Sequence, residues 1–163
     1  MRPLFVATIL LLQPSAGIKL PHRSEPPSLP TRQYVEDMRK KNIDDILVMY
    51  QADAVFIDPQ GHKFSSAEAR RQLYERTFAT YDSELLFDDA KVKWKGDTSK
   101  AGSVVVETDT FHENLRTRAT NVLQQVCGTC IFTWVRQPDG VWLISGQKWT
   151  TGACTATPAT SGQ

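Results

Sequence analysis

The chain has 163 residues, 19 Lys+Arg against 18 Asp+Glu, and 40% hydrophobic content. That length allows one domain with a real core. Near-neutral charge without a basic run excludes the electrostatic footprint of a nucleic-acid binder and a polybasic patch for anionic lipid.

Residues 1–17 differ from the rest. Arg2 precedes an apolar run at residues 4–12, then Gln13, Pro14, Ser15, Ala16 and Gly17. A basic start, a short apolar core and small residues at the cut site predict a secretory signal peptide. The run is too short to span a bilayer, so the expected location is secreted or periplasmic. Cleavage removes Arg2 and no other charge, lowering Lys+Arg from 19 to 18 against 18 acidic residues. Residues 18–30 hold Pro21, Pro26, Pro27 and Pro30 and read as an extended linker. The folded domain is expected over residues 31–151, with a flexible tail at 152–163.

Thr31 is a candidate N-cap for a helix through Tyr34, Val35 and Met38. Asn42 can cap a second, whose Ile43, Ile46, Leu47 and Tyr50 share one face. A short apolar strand at residues 54–57 ends in the turn signal Asp58-Pro59. Ser65-Ser66-Ala67-Glu68 forms a capping box ahead of a helix bearing Leu73, Tyr74, Thr77 and Phe78. Beyond Tyr81 the pattern becomes strands, over residues 85–94, 102–111, 119–135 and 141–150. The last two are joined by a tight turn at Gln137-Pro138-Asp139-Gly140. Helices followed by antiparallel strands predict an α+β layer fold. A strongly curved sheet over helices leaves a pocket.

Two blocks carry a family resemblance. One is MYQADAVFIDP at residues 49–59. The other is WVRQPDGVWLISGQKW at residues 134–149, with Trp134, Asp139-Gly140, Trp142, Ile144, Trp149 and Thr150 in order. Together with the capped helix after residue 65, they resemble the SnoaL-like group of the nuclear-transport-factor-2-like superfamily over residues 31–151. The resemblance implies a cone-shaped sheet enclosing a small-molecule pocket, and a dimer through the outer sheet face. The superfamily includes isomerases, cyclases, hydrolases, dehydratases and non-catalytic modules, so fold alone does not assign activity. The group's histidines near the end of the last hairpin are replaced here by Gly146 and Lys148.

The candidate catalytic residues are Asp58, Lys148 and His62. Asp58 ends the first strand, and against apolar walls its carboxylate would have a raised pKa and act as a base. The alternative is a turn residue whose carboxylate caps backbone amides. His62 follows in the adjoining loop. Strict alternation puts Lys148 on the face of Trp142, Ile144 and Gly146: if that face lines the cavity it would be a buried cation able to hold a carboxylate ligand or an enolate, and if it points outward, a plain surface lysine. Gly146 in mid-strand can also mark a bulge. Tyr50, Trp94, Trp134 and Trp142 are assigned to the apolar pocket wall. His112 is read as a surface residue beside a turn at Glu113-Asn114.

Cys127, Cys130 and Cys154 predict one disulfide and one leftover thiol in an exported protein. Cys127-Gly128-Thr129-Cys130 interrupts a strand rather than opening a helix, which argues against a redox pair, and a zinc site lacks its second pair of ligands. No metal or cofactor is expected. Cys127–Cys154 and Cys127–Cys130 both remain possible bridges, the first favoured because the last hairpin brings Cys154 towards Cys127. The resulting expectation is an exported domain binding a small, largely apolar molecule, with metal-free acid/base catalysis. A ligand carrier or dimerising association module is the alternative.

Overall fold

A computed structural model describes residues 27–95 and 97–154, apart from the side chain of Asp89. The expected signal peptide, residues 18–26 of the linker and the tail from residue 155 lie outside the described residues.

Three helices and six strands follow in the order α1 (Thr31–Lys40), α2 (Ile43–Val48), β1 (Tyr50–Ile57), β2 (Lys63–Phe64), α3 (Ala67–Thr80), β3 (Tyr81–Trp94), β4 (Val104–Thr117), β5 (Leu123–Arg136) and β6 (Trp142–Gly152). The strands form one sheet in the order β2-β1-β6-β5-β4-β3. β1 runs parallel to β6, and every other neighbouring pair is antiparallel. This is the expected α+β cone, with the helices packed into the concave side of a curved sheet.

The helix starts follow their polar residues, with two displacements. Asn42 caps α2 by accepting the amide of Asp45 at 3.4 Å. Ser66 caps α3 through the amide of Ala69 at 3.1 Å, one residue later than the capping box implied. Thr31 does not cap α1. Its hydroxyl donates to Glu107 on β4 and ties the first helix to the sheet.

The inner face of the sheet alternates as pleating requires. On β4 the buried residues are Val105, Glu107, Asp109 and Phe111. On β5 they are Cys130, Phe132 and Trp134. Phe132 stacks on Trp134 with ring centroids 5.3 Å apart and meets Tyr34 of α1 edge-on at 5.2 Å. Ile46, Tyr74 and Phe78 complete the core from α2 and α3. Glu107 is satisfied by the indole N–H of Trp134 at 2.8 Å as well as by Thr31.

Two local departures decide what lines the interior. β4 does not turn at Glu113-Asn114 but continues to Thr117, so Glu113 keeps the inward parity of Phe111. The hairpin tip falls at residues 118–122, where Asn121 takes φ 56°. On β6, Ile144 pairs with Trp134 but Gly146 pairs with Thr133, which leaves Ser145 as a bulge. One extra residue reverses the side-chain alternation beyond it. Gln147 and Trp149 therefore point inward, and Lys148 points out into solvent. The buried-cation reading of Lys148 is thus corrected.

Gly128 is fixed by a close approach between strands. A Cβ there would lie 1.8 Å from the carbonyl oxygen of Thr150. Beside it, Cys127 bonds to Cys154, leaving Cys130 as the buried free thiol. The bridge attaches the chain just beyond β6 to β5.

Candidate functional site

A cavity of about 640 Å³ opens between α1, α3 and the concave face of the sheet. That volume suits a small organic molecule. Its apolar wall comes from Met38, Phe56, Leu73, Phe111, Leu115, Val126 and Trp149. Its polar groups include a phenol cluster at the buried end, Glu113 in the sheet wall, Asp58 near the rim, and the side chains of Thr77, Tyr81, Gln60, Gln124, Gln125 and Thr151.

The phenol cluster links four side chains from four elements. Tyr50 donates to Oε1 of Gln147. Having given its only proton, Tyr50 must accept from Tyr74, whose oxygen is 2.7 Å away. Tyr74 in turn accepts from Tyr34 at 3.1 Å. Tyr34 accepts from Nε2 of Gln147 at 3.1 Å, which closes the ring. Burial raises the pKa of all three phenols, that of Tyr74 to about 12. The ring therefore stays protonated and its hydrogen-bond direction is self-consistent. Gln147 reaches it only because of the β6 bulge, and it also approaches Sγ of Cys130 at 3.6 Å. Burial raises the Cys130 thiol well above its ordinary value, so this residue is core rather than nucleophile.

Behind the ring lies Arg70, 1% exposed. Its guanidinium donates to the carbonyls of Ala54 and Gln51 and sits 4.9 Å from the centroid of the Tyr50 ring. These carbonyls lie within the irregularity where β1 loses register with β6 between Tyr50 and Val55. Arg70 thus braces the strand that carries Tyr50.

Glu113 and Asp58 both line the cavity, but their surroundings differ. Glu113 is half-buried in mid-strand and accepts one hydrogen bond, from the hydroxyl of Ser83. Burial raises its pKa, and the serine only partly offsets this. At Asp58 burial also pushes upward, but the ring and amide of His62 and the amide of Gln60 outweigh it, and the pKa is lowered. Oδ1 accepts the amides of Gln60 at 3.0 Å and His62 at 2.8 Å, while Oδ2 lies 2.8 Å from Nδ1 of His62. Asp58 is held as a turn-capping carboxylate, which corrects the expectation of a raised pKa at this position.

The structure brings Asp58 and His62 together and leaves Lys148 apart from both. The His62 side chain is 71% exposed and lies outside the cavity wall. The wall aromatics also differ from those expected. Tyr50 belongs to the phenol ring behind the wall, Trp134 is fully buried against Phe132, Trp94 packs at the edge of the core, and Trp142 lines a separate surface hollow near Val141. Tyr34, Phe56, Tyr74, Tyr81, Phe111 and Trp149 supply the rings instead. Sequence reasoning missed Glu113 because Glu-Asn after His112 resembled a turn. His112 itself faces outward, with Nδ1 2.9 Å from Asp88. Among the described residues, no group of three or more His, Cys, Asp or Glu is placed to hold a metal ion.

The SnoaL-like domain family matches residues 31–144. The chain belongs to this family. Solved structures agree on the fold. A candidate scytalone dehydratase from Novosphingobium aromaticivorans superposes with a TM-score of 0.65 at 11% identity, covering 82% of this chain and 90% of that one. A candidate calcium/calmodulin-dependent protein kinase II association domain from Xanthomonas campestris gives 0.64 at 14% identity, covering 83% and 100%. A ketosteroid isomerase-like protein from Erwinia carotovora atroseptica gives 0.58 at 16% identity, covering 76% and 92%. No curated protein matches the chain by sequence. Identities this low establish the nuclear-transport-factor-2-like cone and nothing finer.

Proposed function

We propose that this SnoaL-like domain binds a small, largely apolar molecule in its cone cavity, and that Glu113 supplies metal-free acid/base chemistry there. The observation that carries this reading is a carboxyl with a burial-raised pKa in the wall of an otherwise mostly apolar cavity. A raised pKa brings a carboxyl nearer to the neutral range in which proton transfer is efficient. The cavity suits isomerase, cyclase or hydrolase chemistry, and solved relatives of the same fold carry isomerase-like and dehydratase names. Asp58 and His62 serve at the rim, with Asp58 shaping the loop that carries Gln60. Lys148, turned to solvent, has no part in the reaction.

Export to an oxidising compartment belongs to the same proposal. It is supported by the basic-apolar-small pattern of residues 1–17 and by the Cys127–Cys154 bridge. Among the described residues no helix is long and apolar enough to cross a membrane.

The test is a ligand screen followed by turnover. Glu113→Gln is expected to lower kcat about 100-fold or more, a larger loss than any change in binding. Unchanged kcat in Glu113→Gln would remove the catalytic half of the proposal.

A non-catalytic association module is the second reading. It is favoured by the outer face of the sheet, where Val106, Thr108, Ile131, Thr133 and Val135 are partly exposed, and by the association-domain name of a structural relative. Sedimentation of the intact chain, with Ile131→Glu as the disrupting variant, decides whether this face pairs two copies.

A further inference from the structure

The cavity has a marked charge asymmetry. Among the described residues, its wall contains two carboxylates, Asp58 and Glu113, and no Lys, Arg or His. Arg70, the only buried cation among the described residues, is outside this wall and directs two of its nitrogens to the carbonyls of Ala54 and Gln51. Deeper on the same inner face of β4 are Glu107 and Asp109, both buried.

The neutral polar groups at the buried end add a second constraint, while the amide donors of Gln60, Gln124 and Gln125 lie on the exposed side. Tyr34 and Tyr74 line the cavity, yet each gives its single proton to another member of the closed ring. They retain lone pairs and no free proton. The hydroxyl of Thr77, also in the wall, donates to the carbonyl of Leu73 at 2.9 Å. The phenols and Thr77 therefore offer acceptors rather than donors, and the unpaired donor among the buried wall side chains described is the indole N–H of Trp149. A ligand bearing a carboxylate or phosphate would meet like charge and no compensating cation. A ligand bearing donors or positive charge would meet acceptors, a carboxylate and the faces of aromatic rings.

We propose that the ligand is an apolar cation, an amine or quaternary ammonium whose charged end sits against Glu113 and the surrounding aromatic rings. This rests on the reading of the cavity as a ligand site and narrows its chemistry. It also reverses the carboxylate-ligand expectation that a buried Lys148 would have supported. Asp58 is a weaker seat, because two amides and the His62 ring already occupy its oxygens. Among the described residues Glu113 accepts only the Ser83 hydroxyl, and it keeps acceptor capacity for a cation.

Three probes of similar shape separate the possibilities: benzyltrimethylammonium, its neutral carbon isostere neopentylbenzene, and the anion phenylacetate. Binding to the intact chain is read from the indole N–H resonance of Trp149, which lies in the cavity wall. The expected result is that the ammonium binds about tenfold more tightly than the neutral isostere, in line with a desolvated cation–π and charge contact. Phenylacetate is expected to bind weakest. Glu113→Gln should remove most of the preference for the ammonium, whereas Asp58→Asn should leave most of it. Equal binding of the ammonium and its isostere, or tighter binding of phenylacetate, would overturn the cation proposal while leaving a ligand cavity in place. A preference unchanged in Glu113→Gln would overturn the assignment of its seat. If none of the three moves the Trp149 resonance, the ligand-site reading fails and the cation proposal fails with it.

Discussion

The buried end of the cavity and its open side are built on opposite hydrogen-bonding principles. At the buried end, Tyr34, Tyr50, Tyr74 and Gln147 satisfy one another in a closed ring. On the open side, Glu113 stands in the wall with a single hydroxyl donor, and its pKa rises. Asp58 belongs by position to the open side but by chemistry to the satisfied class, because its loop wraps it in amides. The difference shows that location in a pocket does not make a carboxylate reactive. Burial and the number of donors around it set its pKa, and the proposed reactivity of Glu113 rests on that balance.

The largest expected effect comes from breaking the ring. Gln147→Leu leaves the Tyr50 hydroxyl without its acceptor and Tyr34 without its donor, both buried. A loss of about 3 kcal/mol is expected in chemical unfolding, with cavity binding lost as the phenols reorient. Reducing the Cys127–Cys154 bridge, which closes a loop of sequence separation 27, should cost a comparable amount of stability, about 3 kcal/mol. Because that bridge lies at the end of β6, away from the ring, the tyrosine resonances of the folded protein should stay put after reduction. Their collapse would mean that the two ends of the cavity are not independent.

Smaller effects separate the two carboxylates. Asp58→Asn should cost about 1 kcal/mol at neutral pH through the loosened loop. The folded pKa of Asp58 is lowered, so its carboxylate stabilises the fold above its unfolded pKa, and that contribution is lost as pH falls through the folded value. The wild type should therefore lose Tm on acidification by more than Asp58→Asn does. Glu113 has the opposite sign. Its folded pKa is raised, so its stabilising contribution is fully present below its unfolded pKa and lost as pH rises through the folded value. Glu113→Gln should slightly raise Tm at neutral pH and leave it unchanged in acid. A fall at neutral pH would show that the Ser83 hydrogen bond outweighs burial.

Much of this architecture was legible in the sequence. Asn42 and the serines at 65–66 announced helix starts, and the turn at Gln137-Pro138-Asp139-Gly140 set the last hairpin, where the amide of Gly140 reaches the carbonyl of Gln137 at 2.9 Å. The hairpin also favoured the Cys127–Cys154 pairing found in the structure. The site was much less legible, for two reasons of register. Alternation counted from Trp142 put Lys148 on the face of Trp142 and Ile144, but the Ser145 bulge, suspected only as a property of Gly146, moved Gln147 to that face instead. Glu113-Asn114 looked like a turn, whereas pairing with β3 and β5 on both sides carries β4 through it. Pairing between distant strands overrides local turn preference, and a single sequence does not display it. The phenol ring draws on residues 34, 50, 74 and 147, so only the assembled fold reveals it.

The account rests most directly on the contrast between the two carboxylates of one cavity. Side-chain carboxyl carbon resonances of Asp58 and Glu113, followed by NMR across a pH titration of the intact chain, measure it. The predicted result is that Glu113 titrates above the ordinary glutamate range while Asp58 titrates below the ordinary aspartate range. Glu113 titrating at or below its ordinary value would contradict the assignment of Glu113 as the reactive group of the cavity.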